Sequence, residues 1–217
     1  MNVEQARFNM IEQQIRPWDV LDTSVLSLLA IVKREDFVPA AQRALAFMDL
    51  EVPLADGQAM LSPKVEARML QELAPARHEL VLEVGTGSGY MAALLAHKAQ
   101  RVVSLEIRPE LAAFARQNLQ RAAVLNVEVR EADGAKGYAA EAPFDAIVLS
   151  GSVAEVPQAL LDQLKIGGRL IAIVGEEPVM RATLVTRVGE HEFRSVDLFD
   201  TVAPRLEHFP EPSKFSF

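Results

Sequence analysis

Three glycines at alternate positions, Gly85, Gly87 and Gly89, stand between the apolar run Leu80-Val81-Leu82-Glu83-Val84 and an Ala- and Leu-rich stretch from Met91 to Lys98. The first reads as a short buried parallel strand and the second as a helix, which puts the glycines in a strand-to-helix turn. Such a turn brings a ligand close to the main chain, where the start of the helix presents unpaired N–H groups. A second strand-like run, Arg101-Val102-Val103-Ser104-Leu105-Glu106, ends in a carboxylate about 20 residues beyond the glycines, the spacing of an acid that binds ribose hydroxyls. Each signal alone has a plainer reading: a strand passing close to a helix, and a solvated strand end. Together they predict a ligand carrying an adenosine moiety, without saying which one.

The elements around this turn follow from periodicity. From Val3 to Ile15, Phe8, Ile11 and Ile15 fall on one helical face, and Pro17 ends the pattern. Asp22 caps a second helix with Val25, Leu26, Leu28 and Leu29 on its buried side, and Trp18 reads as packing between the two helices. The first forty or so residues are thus a helical lid or brace. Breakers Pro53, Asp56 and Gly57 mark a loop from Asp49 to Ser62, placed to fold over the mouth of the glycine turn. Ser62-Pro63 then opens a helix, Ser at the N-cap and Pro at the first position, with Val65, Met69, Leu70 and Leu73 inward.

Beyond Glu106 come a helix from Pro109 to Arg121, a strand from Asn126 to Arg130, a turn at Glu131-Ala132-Asp133-Gly134 and a strand from Phe144 to Leu149. A helix from Val156 to Leu164 and a strand from Leu170 to Gly175 follow. This alternation predicts an α/β fold: a Rossmann-like, doubly wound, mostly parallel sheet with ligands at its carboxyl edge and an N-terminal helical extension. The end differs, since Ala182 to Val188, a polar turn and Phe193 to Val202 read as an antiparallel hairpin that closes the sheet. The expected organisation is a brace and loop over 1–61, a ligand-binding core over 62–206 and a tail over 207–217, all one compact unit.

Composition narrows the class. A chain of 217 residues, 50% hydrophobic with mean hydropathy +0.11, is globular. With no cysteine there are no disulfides, no thiolate catalysis and no Cys-ligated zinc, and a reducing compartment fits. His78, His97, His191 and His208 lack ligand spacing, so no metal is expected. The start, Met1-Asn2-Val3-Glu4-Gln5, is neither basic nor apolar, and no run has the length of a bilayer span, so the expected location is the cytoplasm. A net charge of -8 argues against nucleic acid as a partner. The tail from Phe209 to Phe217, with prolines and three phenylalanines, reads either as a frayed end or as an arm whose aromatics dock.

The terminal hairpin, and the order Glu83-x-Gly85-x-Gly87-x-Gly89, Glu106, Asp133-Gly134, Phe144-Asp145-Ala146-Ile147-Val148, resemble the S-adenosylmethionine-dependent methyltransferases. Val81 to Tyr90, Pro143 to Val148, and Gln163-Leu164 with Gly167-Gly168-Arg169-Leu170 resemble more narrowly the protein-L-isoaspartate O-methyltransferase family. So do Lys33-Arg34-Glu35-Asp36-Phe37-Val38-Pro39 and Gly57-Gln58. The resemblance runs to about Gly175. It implies S-adenosylmethionine as cofactor, held by Glu83, Gly85, Thr86, Gly87, Ser88, Gly89, Glu106, Asp133 and Gly134, with the last two flanking adenine. It implies a protein or peptide substrate, methylated on the free carboxylate of L-isoaspartyl or D-aspartyl residues and returned through a succinimide toward aspartate. The substrate loop would contribute Gln58, Ala59, Leu61 and Ser62.

That loop departs from the family pattern Gly-Gln-Thr-Ile-Ser-Gln-Pro: the Thr position is Ala59 and the Ser position Leu61. Ser62, the candidate catalytic hydroxyl, takes that place only if the loop shifts by one residue. The carboxyl-terminal segment Asp200-Thr201-Val202-Ala203-Pro204-Arg205-Leu206 also departs from the family's Phe-Val-Pro-Leu. Two other readings therefore stand beside the first, a same-fold methyltransferase with a different acceptor and a non-catalytic S-adenosylmethionine-binding module.

Overall fold

A computed structural model describes residues 2–211. The chain begins with α1 (Val3–Met10), which widens into a π-helical stretch, Ile11–Ile15, and ends in a 3-10 turn, Arg16–Trp18. Helix α2 (Thr23–Ile31) is capped by Asp22, whose carboxylate accepts from the Ser24 N–H at 2.7 Å. A two-stranded ribbon, β1 (Val52–Pro53) with β2 (Ala59–Met60), leads into α3 (Pro63–Leu73). The core follows as β3 (Leu80–Val84), α4 (Tyr90–Lys98), β4 (Arg101–Glu106), α5 (Pro109–Arg121) and β5 (Val127–Glu131). It continues through β6 (Phe144–Val153), α6 (Gln158–Leu161), β7 (Leu164–Glu176), β8 (Val179–Arg187) and β9 (Phe193–Asp200).

Seven strands form one sheet in the order β5-β4-β3-β6-β7-β8-β9. The first five run parallel; β8 pairs antiparallel with β7, and β9 antiparallel with β8. The chain leaves β3 toward β4 on one side and later crosses back to β6 on the other, which makes the carboxyl end of β3 a switch point where a crevice must open.

The near-continuous apolar run of β3 is explained by cover on both faces. Val81 belongs to the layer that holds Met10, Ile15, Leu29, Leu70 and Leu94, while its neighbour Leu82 packs with Val103, Ile147, Leu160 and Leu170. The alternation is that of successive strand side chains. The N-terminal helices thus share a core with the sheet and hold the loop before α3 against it.

Four local expectations change. Phe8 is 58% exposed, and α1 instead buries Arg7 and Met10; Arg7 turns inward to pair with Glu35, which rotates the apolar stripe away from Phe8. Trp18 meets Phe199 of β9 edge-on at 5.1 Å, with the Lys64 ammonium 4.8 Å over its ring, and so packs against the last strand instead of between α1 and α2. The helix expected to Leu164 is only α6, because Leu164 pairs with Phe144 as a strand. Ser62 has N-cap backbone geometry but its hydroxyl makes no capping bond; its carbonyl accepts from Val65 N–H at 3.1 Å and Glu66 N–H at 3.2 Å.

Candidate active site

The glycine turn after β3 is clamped to the end of β4. Gly85 and Gly87 have φ of +90° and +53°, a left-handed backbone that a side chain resists. The Gly85 N–H donates to the Leu105 carbonyl at 2.9 Å, and the Gly87 N–H donates to Glu106 Oε2 at 2.8 Å. The other oxygen of Glu106 accepts from the Arg108 N–H at 3.0 Å. At the end of β5, Asp133 accepts from the Ala135 N–H at 3.0 Å. Gly134 lies so close to β3 that a Cβ there would stand 2.2 Å from Val84. Between these strand ends is an open crevice lined by the glycine turn, Glu106, Asp133 and Gly134.

The structure brings Gly85, Gly87, Glu106, Asp133 and Gly134 to this crevice, together with Gln58 and Ala59 of the loop. Thr86 and Ser88 do not line it. They turn inward, Thr86 Oγ1 lying 2.6 Å from Ser104 Oγ and Ser88 Oγ accepting from the Tyr90 N–H at 3.4 Å. Gly89 does not line the crevice; a Cβ there would be 3.3 Å from Ala115, so its role is close passage of α5. Glu83 is fully buried beneath the turn, its carboxyl accepting from Ser104 Oγ at 2.6 Å and Ser150 Oγ at 2.8 Å. Burial pushes it up to about 8, against those two hydroxyls.

Beside the crevice lies a smaller, tighter chamber, and Ala59, Gly85, Gly87 and Ser150 line both. Leu61 is buried on its wall, and Ser62 lines neither space. Two buried ion pairs support this side, Arg7 with Glu35 and Arg34 with Glu66. Arg34 Nη2 also donates to the Leu61 carbonyl at 2.7 Å, which fixes the loop by its main chain. Burial pushes Glu66 up to about 7 even though Arg34 pulls the other way.

Comparison with known proteins matches this arrangement to one family. The pattern described as protein-L-isoaspartate(D-aspartate) O-methyltransferase matches residues 5–201. The chain belongs to the protein-L-isoaspartate O-methyltransferase family. A protein-L-isoaspartate O-methyltransferase of Methanoculleus marisnigri is 46% identical over 87% of this chain and 86% of its own length. One from Syntrophobacter fumaroxidans is 43% identical over 85% and 86%. Among solved structures, a Plasmodium falciparum chain assigned to the same family and crystallised with S-adenosyl-L-homocysteine superposes with TM-score 0.81 at 22% identity, covering 95% of this chain and 99% of its own. At that identity the likeness speaks to fold.

The family match stops before a segment that completes the crevice. After β9 the chain crosses the carboxyl edge of the sheet, where the Ser152 N–H donates to the Pro204 carbonyl at 2.7 Å and the Leu206 N–H donates to the Ser152 carbonyl at 2.8 Å. Leu206 then covers the turn: a Cβ on Gly85 would lie 2.9 Å from it, and one on Gly151 2.8 Å. Glu207 pairs with Arg108, which also reaches Asp56 of the loop at 3.2 Å. His208 Nδ1 is 2.8 Å from Asp133, and Phe209 is buried over the crevice. Desolvation works against ionisation of Asp133, yet the Ala135 N–H and His208 hold its carboxyl below the usual range.

Residues 207–209 fall in the expected tail, and of its aromatics Phe209 is docked on the domain; Phe215 and Phe217 lie outside the described residues. Sequence reasoning missed Arg108, Ser150 and Leu206. Ser150 had a signal, since it follows the apolar run of β6 at the edge where ligands bind. Leu206 had none, because its meaning depends on two glycines far away in sequence.

Proposed function

We propose that this chain methylates the free carboxylate of L-isoaspartyl or D-aspartyl residues in damaged proteins, with S-adenosylmethionine as cofactor, as the first step of their repair. The observation that carries it is the intact crevice at the switch point, in a chain 46% identical to a relative named for that reaction. Against that identity, a different acceptor or a purely binding role is the weaker reading. The absence of cysteine supports a place in the cytoplasm.

The crevice fits the cofactor on its own geometry: positive-φ glycines expose main chain at the turn, and Glu106 stands at the end of β4 where a ribose would need a carboxylate. On this reading Gly85 and Gly87 hold the methionine portion, Glu106 the ribose, and Asp133 with Gly134 the adenine edge. Gly89 acts behind them, letting α5 pass close to the turn, while Thr86 and Ser88 line the adjoining chamber. What the bound cofactor supplies is an electrophilic methyl group on sulfur.

The residues of the chain have no proton to remove, because a carboxylate acceptor is already ionised at neutral pH. Their work is to align one acceptor oxygen and to keep water out. Arg34 contributes by holding the Leu61 carbonyl, so the loop is positioned without the hydroxyls that Ala59 and Leu61 lack. Leu54, Leu206 and Phe209 give the crevice apolar walls.

The test is transfer of labelled methyl from S-adenosylmethionine to a peptide containing L-isoaspartate, beside the same peptide with normal aspartate. Base-labile incorporation into the isoaspartyl peptide alone is the expected result. No incorporation by protein that binds the cofactor in a calorimetric titration overturns the reading.

A further inference from the structure

The chamber beside the crevice has a buried polar group with no well-formed partner among the described residues. Tyr90, the first residue of α4, is 1% exposed and lines the chamber with Ala59, Leu61, Glu66, Glu83 and Ser150. Its hydroxyl is buried and, among the described residues, makes no well-formed hydrogen bond, although the Arg34 guanidinium stands beside it. The ring is held from two sides, by Phe37 edge-on at 5.5 Å and by the Arg34 guanidinium 4.9 Å over its centre. A buried hydroxyl left unpaired costs free energy that a phenylalanine of the same shape avoids. Packing alone therefore explains the ring and not the oxygen.

We propose that the missing partner of Tyr90 Oη is the acceptor carboxylate, so that Tyr90 is the acceptor-binding donor in a chain whose loop has Ala59 and Leu61 at the hydroxyl positions. The inference rests on the carboxyl methyltransferase reading and names a residue for it. Position supports it, because the chamber shares Ala59, Gly85, Gly87 and Ser150 with the crevice, so a group bound in one adjoins the other. Chemistry supports it as well. Burial pushes the Tyr90 phenol up from its ordinary value, so it keeps its proton and donates.

Two carboxyl groups also line the chamber, and an incoming carboxylate must coexist with them. Glu66 is paired with Arg34. Glu83, at about 8, still holds its proton at neutral pH.

The test is Tyr90→Phe, which removes one oxygen and leaves the packed ring. The Michaelis constant for the isoaspartyl peptide is expected to rise about ten- to a hundredfold, the range for a hydrogen bond to a charged group. S-adenosylhomocysteine affinity by calorimetry should stay within about twofold, and the melting temperature should hold or rise. The chain has only two tyrosines, Tyr90 and Tyr138. Protein carrying 13Cζ-labelled tyrosine and loaded with S-adenosylhomocysteine should therefore show one of two signals, the one absent from Tyr90→Phe, moving as the isoaspartyl peptide is added. A wild-type enzyme that methylates the peptide while the variant keeps its Michaelis constant and the Tyr90 signal stays still overturns the inference and leaves the reading intact. A wild-type enzyme with no transfer and no shift of that signal overturns both.

Discussion

The two halves of the cleft are built by different means. On the crevice side, Gly85, Gly87 and Glu106 stand at or just beyond the ends of adjacent parallel strands, and the turn is tied to the sheet by bonds such as the Gly85 N–H to the Leu105 carbonyl at 2.9 Å. On the acceptor side, the loop carrying Ala59 and Leu61 is a two-stranded ribbon of its own, held through buried side-chain charges from α3 and the segment after α2. The first half is a by-product of the fold and tolerates little variation in backbone. The second is held by a few specific side chains, and can change its chemistry without disturbing the sheet.

Breaking that contrast starts with Arg34. Arg34→Met leaves Glu66 buried without its cation and releases the Leu61 carbonyl, which should cost about 3–5 kcal/mol of stability in a urea melt. Adding Glu66→Leu should restore most of it, because removing both charges of a buried pair is far cheaper than removing one. S-adenosylhomocysteine affinity at a temperature where the variant is folded should be little changed. An equal loss on both sides of the cleft would mean that the halves are one cooperative unit.

Gly87→Val is the reverse experiment. A β-branched residue at φ +53°, with its Cβ 3.3 Å from Leu54, should reduce S-adenosylhomocysteine affinity in calorimetry about a hundredfold or more, roughly 2.7 kcal/mol. The far end of the loop, where Arg34 holds the Leu61 carbonyl, should keep its protection from hydrogen exchange.

A pH-dependent effect belongs to Glu83, which lines the chamber. Its folded value is about 8 against an ordinary 4.5. Between those values the unfolded chain has lost the proton that the folded chain keeps, so the unfolded state binds fewer protons and stability falls as pH rises. Glu83→Gln should flatten the fall of melting temperature across that window. Glu66, pushed to about 7, adds a slope of the same sign that the variant retains. An unchanged pH profile in Glu83→Gln would show that Glu83 ionises normally despite its burial.

The strand-turn-helix half of the cleft was legible because its information is local. Strand, glycine turn, helix and the acid about 20 residues on form one βαβ repeat, and backbone sterics alone require glycine at Gly85 and Gly87. Even there, residue type did not show which space each residue faces: Thr86 and Ser88 line the adjoining chamber, with side chains bonded to Ser104 and the Tyr90 N–H. The acceptor half was legible as a loop with unusual residues, but its supports were not. Arg34 and Glu66 are 32 residues apart, and a charged residue on a helix is ordinarily solvated unless packing removes the water around it. The stripe on α1 failed for a related reason, since the Arg7–Glu35 pair decides which face turns inward.

The sequence by itself determined the parallel sheet, its antiparallel closure and the position of the switch-point crevice, because strand patterning and glycine stereochemistry act over a few residues. Only the tertiary structure decided that Leu206 to Phe209 cover that crevice, that Arg34 holds the loop by a carbonyl and that the Tyr90 hydroxyl is left with no well-formed partner among the described residues. Each of these depends on which distant surfaces meet once the chain is packed, and on which polar groups that packing strips of water.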